Sequence, residues 1–165
     1  MEIEELTVRE NYLEESTPNG GYFEERDNYL KDNKVYEENK SIFSAYVSLA
    51  EKGNTEAIKR ALFYLWYQCS EPNQLSGNLD LEENEIEKVL FIVNNMAKCH
   101  ELDLELKFML PYYYQICEWY FDRFGNLEAL LKASNENEEL WQVEAPKILY
   151  ANRGKMGEYW ESKSV

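Results

Sequence analysis

The stretch ELKFMLPYYYQICEWYFDRF, residues 105–124, constrains the fold more than any other part of the chain. Wound at 100° per residue, its strongly polar side chains fall within one arc of about 160°. The wider arc carries Leu106, Met109, Leu110, Tyr113, Tyr114, Ile116, Cys117, Tyr120, Phe121 and Phe124. Several neighbours are needed to cover so wide an apolar face, so the pattern predicts the central helix of an all-α domain. Pro111 predicts a kink or break there, because proline removes one backbone donor and crowds the preceding turn.

Two amphipathic patterns upstream predict an antiparallel helix hairpin. They cover residues 38–52 and 55–69, with apolar side chains three or four positions apart. Between them, Gly53 predicts a left-handed C-cap, and Asn54 or Thr55 predicts an N-cap for the second helix. Because the connection is so short, the two helices are expected to pack side by side.

Helical patterns continue to the end of the chain. Asp80 followed by Glu83 resembles a capping box and predicts a helix that reaches about residue 100. A shorter helix over 127–134 and a last one beginning near 135–139 are expected next, and Tyr159 with Trp160 either dock or stay free. No convincing strand alternation occurs. The predicted fold is an all-α, irregular bundle of about six or more helices, built from antiparallel hairpins around the central helix.

The first part of the chain is the least regular. Residues 1–36 are expected to form an acidic, partly ordered N-terminal segment, followed by a helical domain over 37–165, most simply as one compact domain. The run STPNGG predicts a loop within this segment. The apolar residues expected to dock short helices before and after it are Leu6, Val8, Tyr12, Leu13, Phe23, Tyr29 and Leu30.

The formal net charge of −15 favours a basic protein partner over nucleic acid or an anionic membrane, because the field of the chain repels polyanions. The alternative is that the acidity only keeps an aromatic-rich protein soluble. No apolar run approaches the roughly 20 residues of a membrane span, and the acidic start is unlike a signal peptide. These features predict a soluble, cytoplasmic protein.

Catalytic and metal-binding patterns are missing from the sequence. The three cysteines, Cys69, Cys99 and Cys117, match no disulfide or zinc spacing and are expected to be reduced thiols. Any histidine-dependent mechanism would have to use His100, the single histidine, which follows an amphipathic helix beside acidic residues. We therefore expect no metal, no cofactor and no enzymatic activity.

Two sets of aromatic and acidic residues are candidates for binding a partner. One lies at a helix end over residues 64–72, and the other is a strip of the central helix formed by Phe108, Pro111, Gln115, Trp119 and Asp122. Large aromatic side chains beside carboxylates are typical of protein-binding hot spots. Ordinary packing inside the bundle is the alternative for both sets. The contact residues that we predict are Tyr67, Glu71, Tyr112, Trp119 and Asp122.

The segments WYQCSEPNQLSG (66–77) and ELKFMLPYYYQICEWYF (105–121) resemble a family of small bacterial all-helical proteins, some of which serve as immunity partners of secreted toxins. The resemblance spans about residues 45–124 and implies a helical fold and a binding role. The expected function is therefore an immunity protein that occludes a cognate, basic toxin.

Two other functions stay open. Residues 48–62 resemble one unit of a Sel1-type or tetratricopeptide repeat, which would suit a helical-repeat-like adaptor or scaffold protein. A second copy is not found at the repeat spacing, and one unit cannot bury its own face. An unrecognised enzyme is the third alternative, and it would need a pocket lined by converging carboxylates and His100.

Overall fold

A computed structural model describes residues 2–18, 20–136 and 152–163, and this part of the chain contains helices and no strands. The helices are α1 (Ile3–Ser16), α2 (Phe23–Asp32), α3 (Val35–Ala50), α4 (Thr55–Ser70), α5 (Asn73–Ser76), α6 (Glu83–Lys98), α7 (Leu104–Asp122), α8 (Glu128–Glu136) and α9 (Gly154–Ser162). The predicted all-α class is confirmed. None of the described helices is long and apolar enough to cross a membrane.

The predicted hairpin is α3 followed by α4. Gly53 closes the first helix with a left-handed backbone, φ +84°, and the Asn54 side chain accepts a hydrogen bond from the Ala57 backbone N–H at 2.9 Å. Tyr64 of α4 packs against rings of α3, with centroids 6.4 Å from Phe43 and 5.9 Å from Tyr46. The turn residues and the aromatic contacts therefore hold the two helices together as the spacing predicts.

Helix α7 runs beside α4 in the same direction. Lys59 of α4 forms an ion pair with Glu105 of α7 at 2.8 Å, and further along both helices the rings of Trp66 and Tyr113 stack with centroids 4.4 Å apart. Helices α8 and α9 cover other parts of α7. Helix α4 is enclosed even more completely, since every residue from Ala57 to Trp66 is buried.

The expected irregularity of α7 lies at Cys117 and not at Pro111. Cys117 has φ −129° and ψ +38°, whereas Pro111 stays within the regular helix. A proline φ is compatible with a helix, so the lost N–H bond does not by itself require a break. Immediately before the break the predicted apolar arc is wrong for Ile116, which is 46% exposed while its neighbour Cys117 is buried.

The N-terminal helices dock through fewer residues than the sequence predicts. Leu6 and Leu13 of α1 are buried seven positions apart, but Val8 and Tyr12 point to solvent, so their predicted docking is wrong. In α2 Leu30 is buried and half-buried Tyr29 packs against the core, as predicted, whereas Phe23 is exposed. Leu6 and Leu13 lie on the face of α1 that packs against α3 and α9. Val8 lies on a different face, which takes no part in this packing.

Two helix boundaries also differ from the expectation. Helix α6 begins after Glu82, and Asp80 adopts a left-handed backbone, φ +51°, so the predicted capping box does not form. At the C-terminus α9 docks fully, with Trp160 only 1% exposed. Most of the last helix predicted upstream, with Pro146, lies outside the described residues.

Candidate functional site

A network of buried charges joins the two ends of the chain to α4. The Arg60 guanidinium of α4 donates to Glu56 at 2.7 Å and to Thr7 of α1 at 2.7 Å. Arg153, just before α9, pairs with Glu56 and, at 2.9 Å, with Glu105. Because each cation meets carboxylates at short range, the cost of burying these charges is offset. The network fixes α1, α4, α7 and α9 relative to one another.

Glu10 of α1 is the least compensated member of that region. Its side chain is 1% exposed, its nearest cation is Arg60 at 3.7 Å, and no described residue gives its carboxylate a hydrogen bond of normal length. Burial raises the pKa of Glu10 to about 6, although Tyr64 and Arg60 act in the opposite direction. The carboxylate rests against the backbone of Gly154, where φ is +56°.

Three tyrosines form a half-buried cluster at the end of α4. Tyr67 packs on Tyr159 with ring centroids 5.7 Å apart, and the hydroxyl groups of Tyr112 and Tyr159 are hydrogen-bonded at 2.6 Å. Burial and the nearby charge of Glu71 raise the pKa of Tyr67 to about 12. Three of the predicted contact residues, Tyr67, Glu71 and Tyr112, are therefore brought together in this tyrosine cluster.

A small cleft of about 220 Å³ opens beside the tyrosine cluster. Its wall includes Tyr67, Tyr159 and the exposed Leu75, together with charged groups of α1 and α9. Glu158 lies in this wall, and burial and repulsion from Glu14 raise its pKa. The cleft therefore combines aromatic rings with two carboxylates, Glu14 and Glu158, and with Lys155, which pairs with Glu14 at 3.4 Å.

The remaining predicted contact residues lie further along α7. We call the exposed side chains Gln115, Ile116, Glu118, Trp119 and Asp122 the Trp119 surface. Trp119 is 66% exposed, and the edge of its ring meets Tyr120. Asp122 accepts a hydrogen bond from the Tyr114 hydroxyl at 3.1 Å, which orients its carboxylate. This surface therefore presents an open indole ring together with two exposed carboxylates, Glu118 and Asp122.

The structure divides the two predicted sets between core and surface. Phe108 and Pro111 of the central strip are buried, and so are Tyr64 and Trp66 of the helix end, so packing is the correct explanation for these four. Tyr159 completes the tyrosine cluster, yet nothing in the sequence brings it next to Tyr67. Ile116 is exposed although the sequence pattern places it within the apolar arc.

Lysines and the histidine gather in a cleft of about 440 Å³ between α6, α7 and α8. Its lining includes three lysines, Lys98, Lys107 and Lys132, beside His100, and Glu136, the acidic residue in its described wall, pairs with Lys132 at 3.5 Å. The converging carboxylates that a His100-dependent enzyme would need are thus replaced by lysines. Among the described residues no group of three His, Cys, Asp or Glu side chains could hold a metal ion.

The chain matches no protein-family model, and no curated protein or solved structure is significantly similar to it. The resemblance of residues 45–124 to small bacterial helical proteins, and the immunity role that it implies, therefore stay predictions.

Proposed function

We propose that this chain is an acidic protein-binding module, most concretely an immunity protein that neutralises a cognate bacterial toxin by occluding it. The observation that carries the proposal is the exposure of Trp119 on a helix segment that also exposes the carboxylates of Glu118 and Asp122. Tryptophan is enriched among the few residues that supply most of the binding energy at interfaces. The proposal locates the protein in the bacterial cytoplasm and assigns it no catalytic step.

The apolar area of Trp119 sets the scale of its contribution. A tryptophan buries up to about 250 Å², so covering the exposed two thirds at about 25 cal/mol per Å² gives roughly 4 kcal/mol before ordering costs. Part of this gain is lost to immobilisation on binding. A partner that inserts the indole into an apolar pocket would still gain enough for Trp119 to act as a hot spot.

Charge would select the partner and accelerate its encounter. The chain carries 32 acidic and 17 basic residues, and both carboxylates of the Trp119 surface are exposed. A complementary partner surface has an apolar pocket with lysine or arginine at its rim, because rim charges steer association and reject partners of like charge. Binding by such a surface weakens as salt screens the charges.

A pull-down with matched baits tests this proposal. The tagged chain and its Trp119→Ala, Asp122→Lys and Phe91→Ala variants are compared in a lysate of the source cell at low and high salt. Phe91 is the control because, like Trp119, it is an exposed aromatic residue, with 57% of its surface accessible, but it lies on a different helix, α6. We expect one basic polypeptide on the wild-type and Phe91→Ala baits and its loss from the other two. Equal retention by all four baits would contradict the proposal.

An adaptor or scaffold would use the same surface, so identity of the partner distinguishes it from an immunity protein. The retained polypeptide is expressed alone in a heterologous bacterium and growth is measured. Growth arrest supports a toxin, whereas normal growth favours the adaptor.

The basic cleft favours a second candidate function, the binding of a small anion. Lys98, Lys107 and Lys132 give a positive region beside His100 in an otherwise acidic protein. Calorimetric titration with inorganic phosphate tests it, and a Lys107→Gln, Lys132→Gln double variant should lose any heat that the wild type shows. Absence of binding by the wild type at millimolar phosphate would reject this second candidate.

A further inference from the structure

The alignment of α4 with α7 brings two thiols together. Lys59 of α4 pairs with Glu105 of α7, and further along both helices Trp66 stacks on Tyr113. In these two pairs the residue number in α7 is higher than that in α4 by 46 and by 47. Following the same alignment to the last turn of α4 places Cys69 opposite Cys117. Cys117 belongs to the buried core, and half-buried Cys69 packs against that core. Each thiol is also the main influence on the pKa of the other.

The two cysteines have unequal surroundings. Cys69 is half-buried, while Cys117 is 1% exposed, and the third cysteine, Cys99, is exposed on a different helix end. The neighbouring Cys117 thiol lowers the pKa of Cys69, and the Arg123 guanidinium acts in the same direction. The neighbouring Cys69 thiol, together with burial, raises the pKa of Cys117. Cys69 is therefore the accessible, more acidic thiol, and Cys117 is a shielded partner within reach.

We propose that Cys69 and Cys117 form a reversible dithiol–disulfide pair whose oxidant is a hydroperoxide and whose attacking group is Cys69. The basis is the position of the two thiols opposite each other on aligned helices, with Cys69 half-buried and Cys117 enclosed in the core. This inference is independent of the proposed binding function. Redox-sensitive cysteines are typically acidic, accessible thiols placed next to a resolving cysteine.

The chemistry has two balanced steps. The Cys69 thiolate attacks one oxygen of hydrogen peroxide, the O–O bond breaks, and the departing hydroxide takes up the proton released by Cys69 to give water and a sulfenic acid. The Cys117 sulfur then attacks the Cys69 sulfur, the S–O bond breaks, and hydroxide leaves with the Cys117 proton as a second water. Two thiols are thereby oxidised to one disulfide, and both peroxide oxygens are reduced.

The location of the pair gives the oxidation a structural consequence. Cys117 is the non-helical residue of α7, and Trp119 follows it by two positions. A bond to Cys69 would tie this break to the C-terminal end of α4. The flexibility of the segment that carries the Trp119 surface would then depend on the redox state.

The test uses the full-length chain with Cys99→Ser, which removes the exposed competing thiol. The folded protein is treated with hydrogen peroxide, and intact mass and alkylatable thiols are followed with time. We expect a mass decrease of two hydrogen atoms, loss of both thiols at the same rate, a monomer on a non-reducing gel and full recovery with dithiothreitol. The gain of oxygen atoms on Cys69 while Cys117 stays alkylatable would overturn the proposal, as would two thiols that persist after free cysteine is fully oxidised.

Two further variants keep the assignment of roles falsifiable. In the Cys99→Ser background, Cys117→Ser should leave Cys69 as a sulfenic acid that dimedone traps, and Cys69→Ser should make Cys117 at least about tenfold slower to react, because the buried thiol is shielded. Circular dichroism checks that each variant is folded. Fast oxidation of Cys117 in the folded Cys69→Ser variant would show that Cys69 is not the attacking group.

Discussion

Replacing Gly154 by alanine should destabilise the protein strongly, because two separate costs coincide there. Gly154 has φ +56°, a conformation that costs an L-residue about 1 kcal/mol. Its new β-carbon would also overlap Oε2 of Glu10 and lie 2.7 Å from Cδ of that residue. Glu10 is buried, so relief of this overlap requires repacking, which costs about 1–3 kcal/mol. We expect a total loss of about 2–4 kcal/mol in the free energy of unfolding.

Gly53→Ala is the matched control. Gly53 also has a positive φ, +84°, but its β-carbon would meet no atom within 4 Å. Only the conformational cost of about 1 kcal/mol then remains. Both variants reduce the freedom of the unfolded chain alike, so that effect cancels when they are compared. Urea unfolding at pH 7, followed by far-ultraviolet circular dichroism, gives both values.

A third variant isolates the contact with Glu10. In a Glu10→Ala background the two closest contacts are removed, and only the Glu10 β-carbon remains, at 3.4 Å. Gly154→Ala should then cost about as much as Gly53→Ala, which is a coupling of about 1–3 kcal/mol between positions 10 and 154. Equal costs for the two glycine variants in the wild-type background, within about 0.5 kcal/mol, would refute the close approach of α1 and α9.

Two further predictions concern charge and burial. Because the pKa of Glu10 rises to about 6 on folding from 4.5, its contribution to stability is fully present below pH 4.5 and is lost as the pH rises through 6. The unfolding free energy of the Glu10→Gln variant should therefore exceed that of the wild type by about 2 kcal/mol above pH 7. This difference should vanish near pH 4.5. A difference that stays constant with pH would be inconsistent with titration of Glu10. Trp160→Ala should cost about 3–5 kcal/mol because the side chain is buried, whereas Trp119→Ala should change stability by less than about 1 kcal/mol. A large loss in urea unfolding for Trp119→Ala would mean that this residue belongs to the core.

Local patterns were sufficient to predict most of the helices. The hairpin of α3 and α4 follows from the spacing of apolar residues together with Gly53 and Asn54, and each of these signals acts over one or two turns. The same kind of signal predicts α7 and its wide apolar face. Boundaries were less predictable, as Asp80 shows, because a residue that can cap a helix can also adopt a left-handed turn.

Long-range contacts explain what the sequence pattern could not predict. Arg60 looks like a solvent-facing residue in the pattern of α4, yet it is 3% exposed, since its partners come from α1 and from the segment before α9. Arg153 reaches Glu56 from 97 positions away in the sequence. The backbone break at Cys117 is not indicated by any residue type at that position, and Ile116, within the predicted apolar arc, is exposed immediately before it. Of the candidate contact residues, sequence alone could not separate half-buried Tyr112 from open Trp119.

A growth assay tests the central claim most directly. The basic polypeptide retained by the wild-type bait is co-expressed with the wild-type chain, with Trp119→Ala or with Phe91→Ala, and growth of the host bacterium is recorded. Growth arrest by the polypeptide alone, protection by the wild type and Phe91→Ala, and failure of Trp119→Ala to protect are the results that the account predicts. A polypeptide that is harmless alone, or full protection by Trp119→Ala at equal expression, would contradict neutralisation through the Trp119 surface.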